Sequence, residues 1–207
     1  MTMWRFVRQL FQSLIGTQPA SLEQPARNAR GSSRVTFRAT GAFLSRVRDD
    51  LERPHAFAYE RVGFIAARAA GGAEGLVLIA EGYFPVADQD YLRDPNIGAL
   101  IGPEALRKAL ELALLKGVGV FHVHMHGLSP RLWFSAVDLS EQAKFVPDFF
   151  TVCPQMPHGA IVLNAKTAAG RVWLAADHVV KIDEFESVGP RTIINHAADD
   201  GSTGFYV

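Results

Sequence analysis

Between Phe121 and Asp138 the chain runs Phe121-His122-Val123-His124-Met125-His126, then a loop from Gly127 to Phe134, then Ser135-Ala136-Val137-Asp138. Three of the seven histidines fall at alternate positions in this run. On a strand, residues two apart share a face, so the three imidazoles project one way. A His-x-His pair supplies two ring nitrogens to one metal ion, and Asp138, beyond the loop, supplies a carboxylate oxygen. Three protein ligands leave one tetrahedral position for water, the pattern of a catalytic zinc site rather than a structural one. Hydrolysis also needs a base for the water's proton and a donor for the oxyanion. Ser135, three residues before Asp138, offers a hydroxyl. Glu60 offers the base, because it stands at the head of Arg61-Val62-Gly63-Phe64-Ile65-Ala66-Ala67, an otherwise apolar strand where an idle carboxylate would be costly. Spacing alone leaves a second reading open, in which the alternating histidines form a polar strand face or a hydrogen-bonded loop cluster.

The elements that must position these residues are legible in outline. A strand is expected at Val35–Phe37, then a helix from Gly41 to Leu51 with Phe43, Leu44, Val47 and Leu51 at helical spacing, ended by Pro54. Two strands follow, Arg61–Ala69 and Leu76–Ala80, around a Gly71-Gly72 turn signal. Pro85 to Pro95 reads as irregular and acidic, with Asp88-Gln89-Asp90 as a solvated loop. The next helix is marked by Pro103 at its first position, Glu104 in its first turn, Lys116 in its last and Gly117 beyond, with a Leu106, Leu110, Leu114 stripe. Val118–Val123 reads as a buried strand running into the histidines. A short helix is expected after Ser135 and Asp138 to about Lys144. A hairpin at Ala160–Leu163 and Arg171–Ala175 turns around Lys166 to Gly170, and Val179–Asp183 adds a strand. This order implies an α/β (α+β) fold, a mixed sheet flanked by helices.

At 207 residues the chain holds one well-buried domain and a short extension. Met1 to Gly16 spaces Trp4, Phe6, Val7, Leu10, Phe11, Leu14 and Ile15 as a short amphipathic helix, while Arg8 and Gln9 interrupt any secretory apolar core. Residues 17–33 read as a linker, 34–185 as the catalytic domain and 186–207 as a C-terminal tail. With 21 Lys plus Arg against 21 Asp plus Glu, no basic excess points to nucleic acid. No stretch of eighteen apolar residues predicts a transmembrane helix. The lone Cys153 cannot form an internal disulfide, so the expected compartment is cytoplasmic. Its thiol reads as buried and structural before it reads as a nucleophile.

The same residues resemble the signature of the JAB/MPN (JAMM) metalloprotease family: a Glu-x-x-Gly on an early strand, a His-x-His, a loop, and a Ser-x-x-Asp. Glu60-Arg61-Val62-Gly63, His124-Met125-His126 and Ser135-Ala136-Val137-Asp138 match these in order, and the resemblance covers roughly residues 34–185. The proline usual after the second histidine is replaced by Gly127. The third histidine also leaves the register open: His122 with His124 leaves a longer loop to Ser135 than His124 with His126, and the shorter loop is nearer the family's. The resemblance implies an MPN-type sheet with cytidine-deaminase-like layering. It implies Zn2+ held by His124, His126 and Asp138, with Glu60 and Ser135 catalytic. The activity implied is cleavage of a peptide or isopeptide bond after the C-terminal glycine of ubiquitin or a ubiquitin-like protein. Phe121 to His126, Phe134 to Asp138 and Pro157 to Leu163 are also similar to bacterial JAB proteins encoded beside ubiquitin-like, activating and conjugating proteins in anti-phage operons. Those proteins and their conjugates are the implied partners.

Two further readings compete. A non-catalytic MPN scaffold binds partners only, but such scaffolds typically lose the glutamate or a ligand, and this chain keeps both. A JAB hydrolase acting on a sulfur-carrier protein or a cysteine adduct keeps the site and changes the substrate. Outside the motif, His158 reads as a satisfied structural histidine, and His178 and His196 as surface or turn residues. Trp133 and Phe134 read as substrate contacts or as the loop's hydrophobic anchor.

Overall fold

The computed structural model describes residues 34–72, 75–95, 97–127, 132–189, 193–196 and 203–204. The amphipathic segment 1–16 and the linker 17–33 lie outside them. The described chain is mixed α/β. Its strands are β1 (Val35–Thr40), β2 (Val62–Gly72), β3 (Gly75–Pro85), β4 (Tyr91–Leu92), β5 (Leu100–Ile101), β6 (Gly119–Met125), β7 (His158–Leu163), β8 (Thr167–Ala175), β9 (His178–Lys181), β10 (Glu184–Val188), β11 (Ile193–His196) and β12 (Thr203–Gly204). Its helices are α1 (Gly41–Leu51), α2 (Pro103–Lys116) and α3 (Ala136–Phe145), with 3-10 turns at Asp88–Asp90 and Val146–Thr151. Ten strands form one mixed sheet in the order β11-β10-β1-β3-β2-β6-β7-β8-β12, with β9 also on β8, while β4 and β5 pair separately.

Strand alternation sorts the side chains into two layers. Ile65 and Ala67 of β2, with Phe121 and Val123 of β6, pack beneath Phe43, Leu44, Val47 and Leu51 of α1. Val62, Phe64 and Ala66, with Val120, face the other way onto Ala105, Leu106, Ala109, Leu110 and Ala113 of α2. Because side chains alternate, His122 and His124 share the Val120 face and point into the α2 layer. Thr40 caps α1 by accepting from the Phe43 N–H at 3.1 Å. Gly117 ends α2 in the left-handed region at φ 58°, where a side chain would be strained.

Several elements differ from expectation. The β2–β3 hairpin is longer, because the ladder continues through Ala69 opposite Leu78 and Gly71 opposite Leu76. Asp88-Gln89-Asp90 is not a free loop: Asp90 is buried with Lys108 Nζ 2.6 Å away, and Asp88 pairs with the buried Arg61. The β7–β8 turn falls at Asn164–Lys166, whose Asn164 Oδ1 accepts from the N–H groups of Lys166 and Thr167. Gly170 is inside β8, where a Cβ would stand 2.6 Å from Ile182 and 2.9 Å from Phe185. β10 runs past residue 185 parallel to β1, and β11 and β12 add strands in the segment expected as a tail.

His158 is structural. Its Nδ1 accepts from the Val120 N–H at 3.1 Å, so Nε2 carries the proton and donates to the Cys153 carbonyl at 3.0 Å. Burial, opposed only by that carbonyl, pushes the imidazole down to about 4. Burial likewise pushes the Cys153 thiol up to about 11, which keeps it out of its nucleophilic form.

A folded value below the ordinary 6.5 means that the unfolded chain binds His158's proton first as pH falls. The contribution of neutral His158 is present above pH 6.5 and is lost as pH falls toward about 4. Urea denaturation should therefore show stability declining across that window, by on the order of 3 kcal/mol, and declining less in His158→Phe.

Candidate metal centre

Glu60 sits two residues before β2, in a turn whose position is set by its neighbours. The Glu60 and Tyr59 N–H groups both donate to the Gly98 carbonyl, at 3.2 and 2.8 Å. The Arg61 side chain, buried against its charge, donates to the Arg53 and Pro54 carbonyls at 2.8 and 3.0 Å and to Asp88 at 2.7 Å. A buried guanidinium is tolerated only when its donors are used, and these clamp the chain entering β2. A Cβ on Gly98 would stand 3.1 Å from Glu60 Cδ and 3.2 Å from Oε2, so glycine there leaves room for the carboxylate.

β2 and β6 pair antiparallel with Val62 opposite His124 and Phe64 opposite His122. Each step back along β2 is a step forward along β6, so position 60 falls opposite 126. Glu60, His124 and His126 form a group whose ligand atoms all lie within 4.8 Å of one another, and this group can hold a metal ion. The two Nε2 atoms are 3.1 Å apart. The His126 N–H donates to the Leu163 carbonyl at 2.9 Å, which anchors the second histidine just past the strand end.

Ser135 and Asp138 open α3 as a capping box. The Asp138 N–H donates to Ser135 Oγ at 3.1 Å, and the Ser135 N–H donates to Asp138 Oδ2 at 2.7 Å. The same Oδ2 lies 3.5 Å from His124 Nε2 and 3.4 Å from His126 Nε2. Burial alone would raise the Asp138 carboxyl, but hydrogen bonds from His124, His126 and Ser135 outweigh it and hold the group well below the ordinary carboxylate range. The Asp138 partnership in turn raises His126, against burial. Among the described residues Ser135 Oγ only accepts, which leaves its O–H to donate elsewhere.

These distances fit a metal. Tetrahedral coordination with bonds of about 2.0–2.2 Å has edges of about 3.3–3.6 Å between ligand atoms. The three observed edges, 3.1, 3.5 and 3.4 Å, are close to that, and two imidazoles with one carboxylate are a suitable donor set. Glu60 and Asp138 are both brought to His124 and His126. The His122 ring packs against Phe64 and Phe145 at 5.8 and 5.4 Å, and burial with the neighbouring His124 pushes it down to about 3.

The centre opens on a cavity of about 340 Å³. Ile97 to Ile101, Leu106 and Phe145 supply apolar wall, while Glu60, the three histidines, Ser135, Asp138, Glu141 and Gln142 supply polar groups. Sequence reasoning missed Gln142 and the Ile97–Ile101 wall. For Gln142 the available signal is its place four residues after Asp138, on the same face of α3. Leu132 and Phe134 anchor the loop by packing on Ala160, Val162 and Ala169, and Trp133 lies half-buried with Lys181 Nζ 5.1 Å from its ring. His178 is exposed, and His196 lies on β11.

No protein-family model matches the chain, and no curated protein matches it. Among solved structures it is similar to the N-terminal domain of Trichoplax adhaerens STIL, with 11% identity and a TM-score of 0.36, over 67% of this chain and 41% of that one. A likeness at that level says nothing of what this chain does. Among the described residues no helix is long and apolar enough to cross a membrane.

Purified without chelator, the protein should carry about one divalent ion per chain by elemental analysis. His124→Ala, His126→Ala and Asp138→Ala should each lose it, and His122→Ala should keep it. Retention by His126→Ala with loss by His122→Ala would move the pair back to His122 and His124.

Proposed function

We propose that this chain is a zinc-dependent isopeptidase of the JAB/MPN type, cleaving after the C-terminal glycine of a ubiquitin-like protein. The observation that carries the reading is the convergence of Glu60, His124, His126 and Asp138 from three separate parts of the chain at one end of a cavity, in the residue order of that family's signature. The mixed sheet with flanking helices is compatible with MPN layering. His124, His126 and Asp138 would hold the zinc, and Glu60 and Ser135 would act around it.

Zinc, when bound, lowers the pKa of water and polarises the scissile carbonyl as a Lewis acid. The rest of the chemistry belongs to the chain. The Glu60 carboxylate, poised across from His126, takes the proton of the attacking water and returns it to the leaving amine. The free O–H of Ser135 donates to the carbonyl oxygen as negative charge develops there. The N-terminus of α3 adds its partial positive charge beside that oxygen and beside the Asp138 carboxylate. The apolar wall from Ile97 to Ile101 narrows the cavity and favours a tail of small residues.

The scaffold reading keeps the metal and predicts no cleavage; the sulfur-carrier reading keeps cleavage and changes the modifier. Cleavage of a ubiquitin-like fusion by the zinc-loaded protein separates them. Glu60→Gln should hold zinc and lose about 100-fold or more in kcat. Gly98→Ala should also hold zinc and lower kcat, because the added methyl crowds the Glu60 carboxylate. A zinc-loaded wild type that cleaves no ubiquitin-like fusion would leave the scaffold reading in its place.

A further inference from the structure

Among the described residues, buried polar side chains away from the cavity have partners, apart from His55 Nε2. His158 uses both ring nitrogens, Arg61 its guanidinium, and Asn164 its carbonyl oxygen. Around the cavity the pattern reverses. Among the described residues five buried side-chain nitrogen or oxygen atoms lack a partner, and four of them belong to His122, His124 and Gln142, which all line this cavity. Gln142 contributes two. It is 1% exposed, and neither its Oε1 nor its Nε2 is hydrogen-bonded. A buried amide with an idle donor and an idle acceptor is costly, and an apolar side chain of similar volume on that helix face would avoid the cost.

We propose that the Gln142 carboxamide is the group by which this cavity recognises the backbone of an extended peptide. Oε1 accepts from the N–H and Nε2 donates to the C=O of one residue of the extended chain, two groups that point to the same side and that a carboxamide matches with one acceptor and one donor side by side. The amide carries no charge, and Ile101, Leu106 and Phe145 around it are apolar, so the site suits uncharged backbone rather than an anion or a cation. Gln142 lies one turn beyond Asp138 on α3, about 6 Å along the axis. An extended chain rises about 3.3 Å per residue, so the residue read by Gln142 is about two residues from the bond held at the metal end. His122, two residues back along β6 from His124, presents its idle Nδ1 to the same cavity as a second contact. Recognition through the backbone selects an extended chain without selecting its side chains. The proposal rests on the hydrolase reading only in taking the ligand to be a peptide.

The test uses the full chain in the Glu60→Gln background, so that nothing is cleaved, and a fluorescein-labelled hexapeptide ending in Gly-Gly-amide. Adding Gln142→Met should leave zinc content unchanged, leave the melting temperature level or higher, and weaken peptide binding about tenfold or more. The Gln142 side-chain amide resonances should shift when peptide is added. Unchanged affinity in Gln142→Met overturns the proposal, and so does absence of binding before that change. A lowered melting temperature with unmoved Gln142 resonances also overturns it, since the amide would then serve the fold. Gln142-dependent binding by a wild type that cleaves nothing would defeat the hydrolase reading alone. Cleavage with the same KM in wild type and Gln142→Met would defeat this one alone.

Discussion

Strands β2 and β6 pair with Val62 opposite His124, and everything at the candidate metal centre hangs on that register. A slip of one residue along either strand would turn Val62, Phe64 and Ala66 out of the α2 layer and break the core. It would also carry Glu60 to the opposite face from His126. The packing that stabilises the sheet therefore excludes the arrangements in which the centre is taken apart. Arg61 adds a second constraint at the strand entry, because its buried guanidinium is satisfied only when the Arg53–Pro54 turn and Asp88 are in place.

The other half of the centre is a helix start. Ser135 and Asp138 close the first turn of α3, and Asp138 then uses the same Oδ2 toward both histidines. A carboxylate in the first helical turn is favoured by the aligned peptide dipoles, which offsets part of the cost of burying it beside Glu60. One side chain thus caps the helix and contacts both imidazoles. Folding and ligand binding draw on the same contacts here.

The distribution of unsatisfied groups separates structural from functional polarity. His158 is buried and neutral with both nitrogens engaged, and it ties β6 to the turn after the second 3-10 segment. His122 is equally neutral, yet its Nδ1 is idle and faces a cavity. Sequence context sets the two apart, one in an alternating trio and one alone, but only packing shows which ring nitrogens are engaged. Local rules of satisfaction tend to fail where a protein reserves groups for a ligand, and among the described residues four of the five such atoms belong to side chains lining one cavity.

The sequence by itself determined the helices and singled out the candidate site. Pro103, Glu104, Lys116 and Gly117 marked both ends of α2, Phe43 to Leu51 marked α1, and Glu60, His124, His126, Ser135 and Asp138 stood out by type and spacing as a candidate site. These are local signals, carried by backbone preference and by periodicity. Long-range placement was decided only in three dimensions. Spacing left His122 and His126 as rival second ligands, and it was the start of α3, delivered beside β6 by a loop pinned through Leu132 and Phe134, that brought Asp138 next to His126. The parallel pairing of β10 with β1, more than a hundred residues apart, has no local signature, so the sheet's extension past residue 185 was not legible. Asp90 likewise read as solvent-facing and Gln142 drew no reading, because burial depends on what packs over a residue, and that partner is chosen by the whole fold.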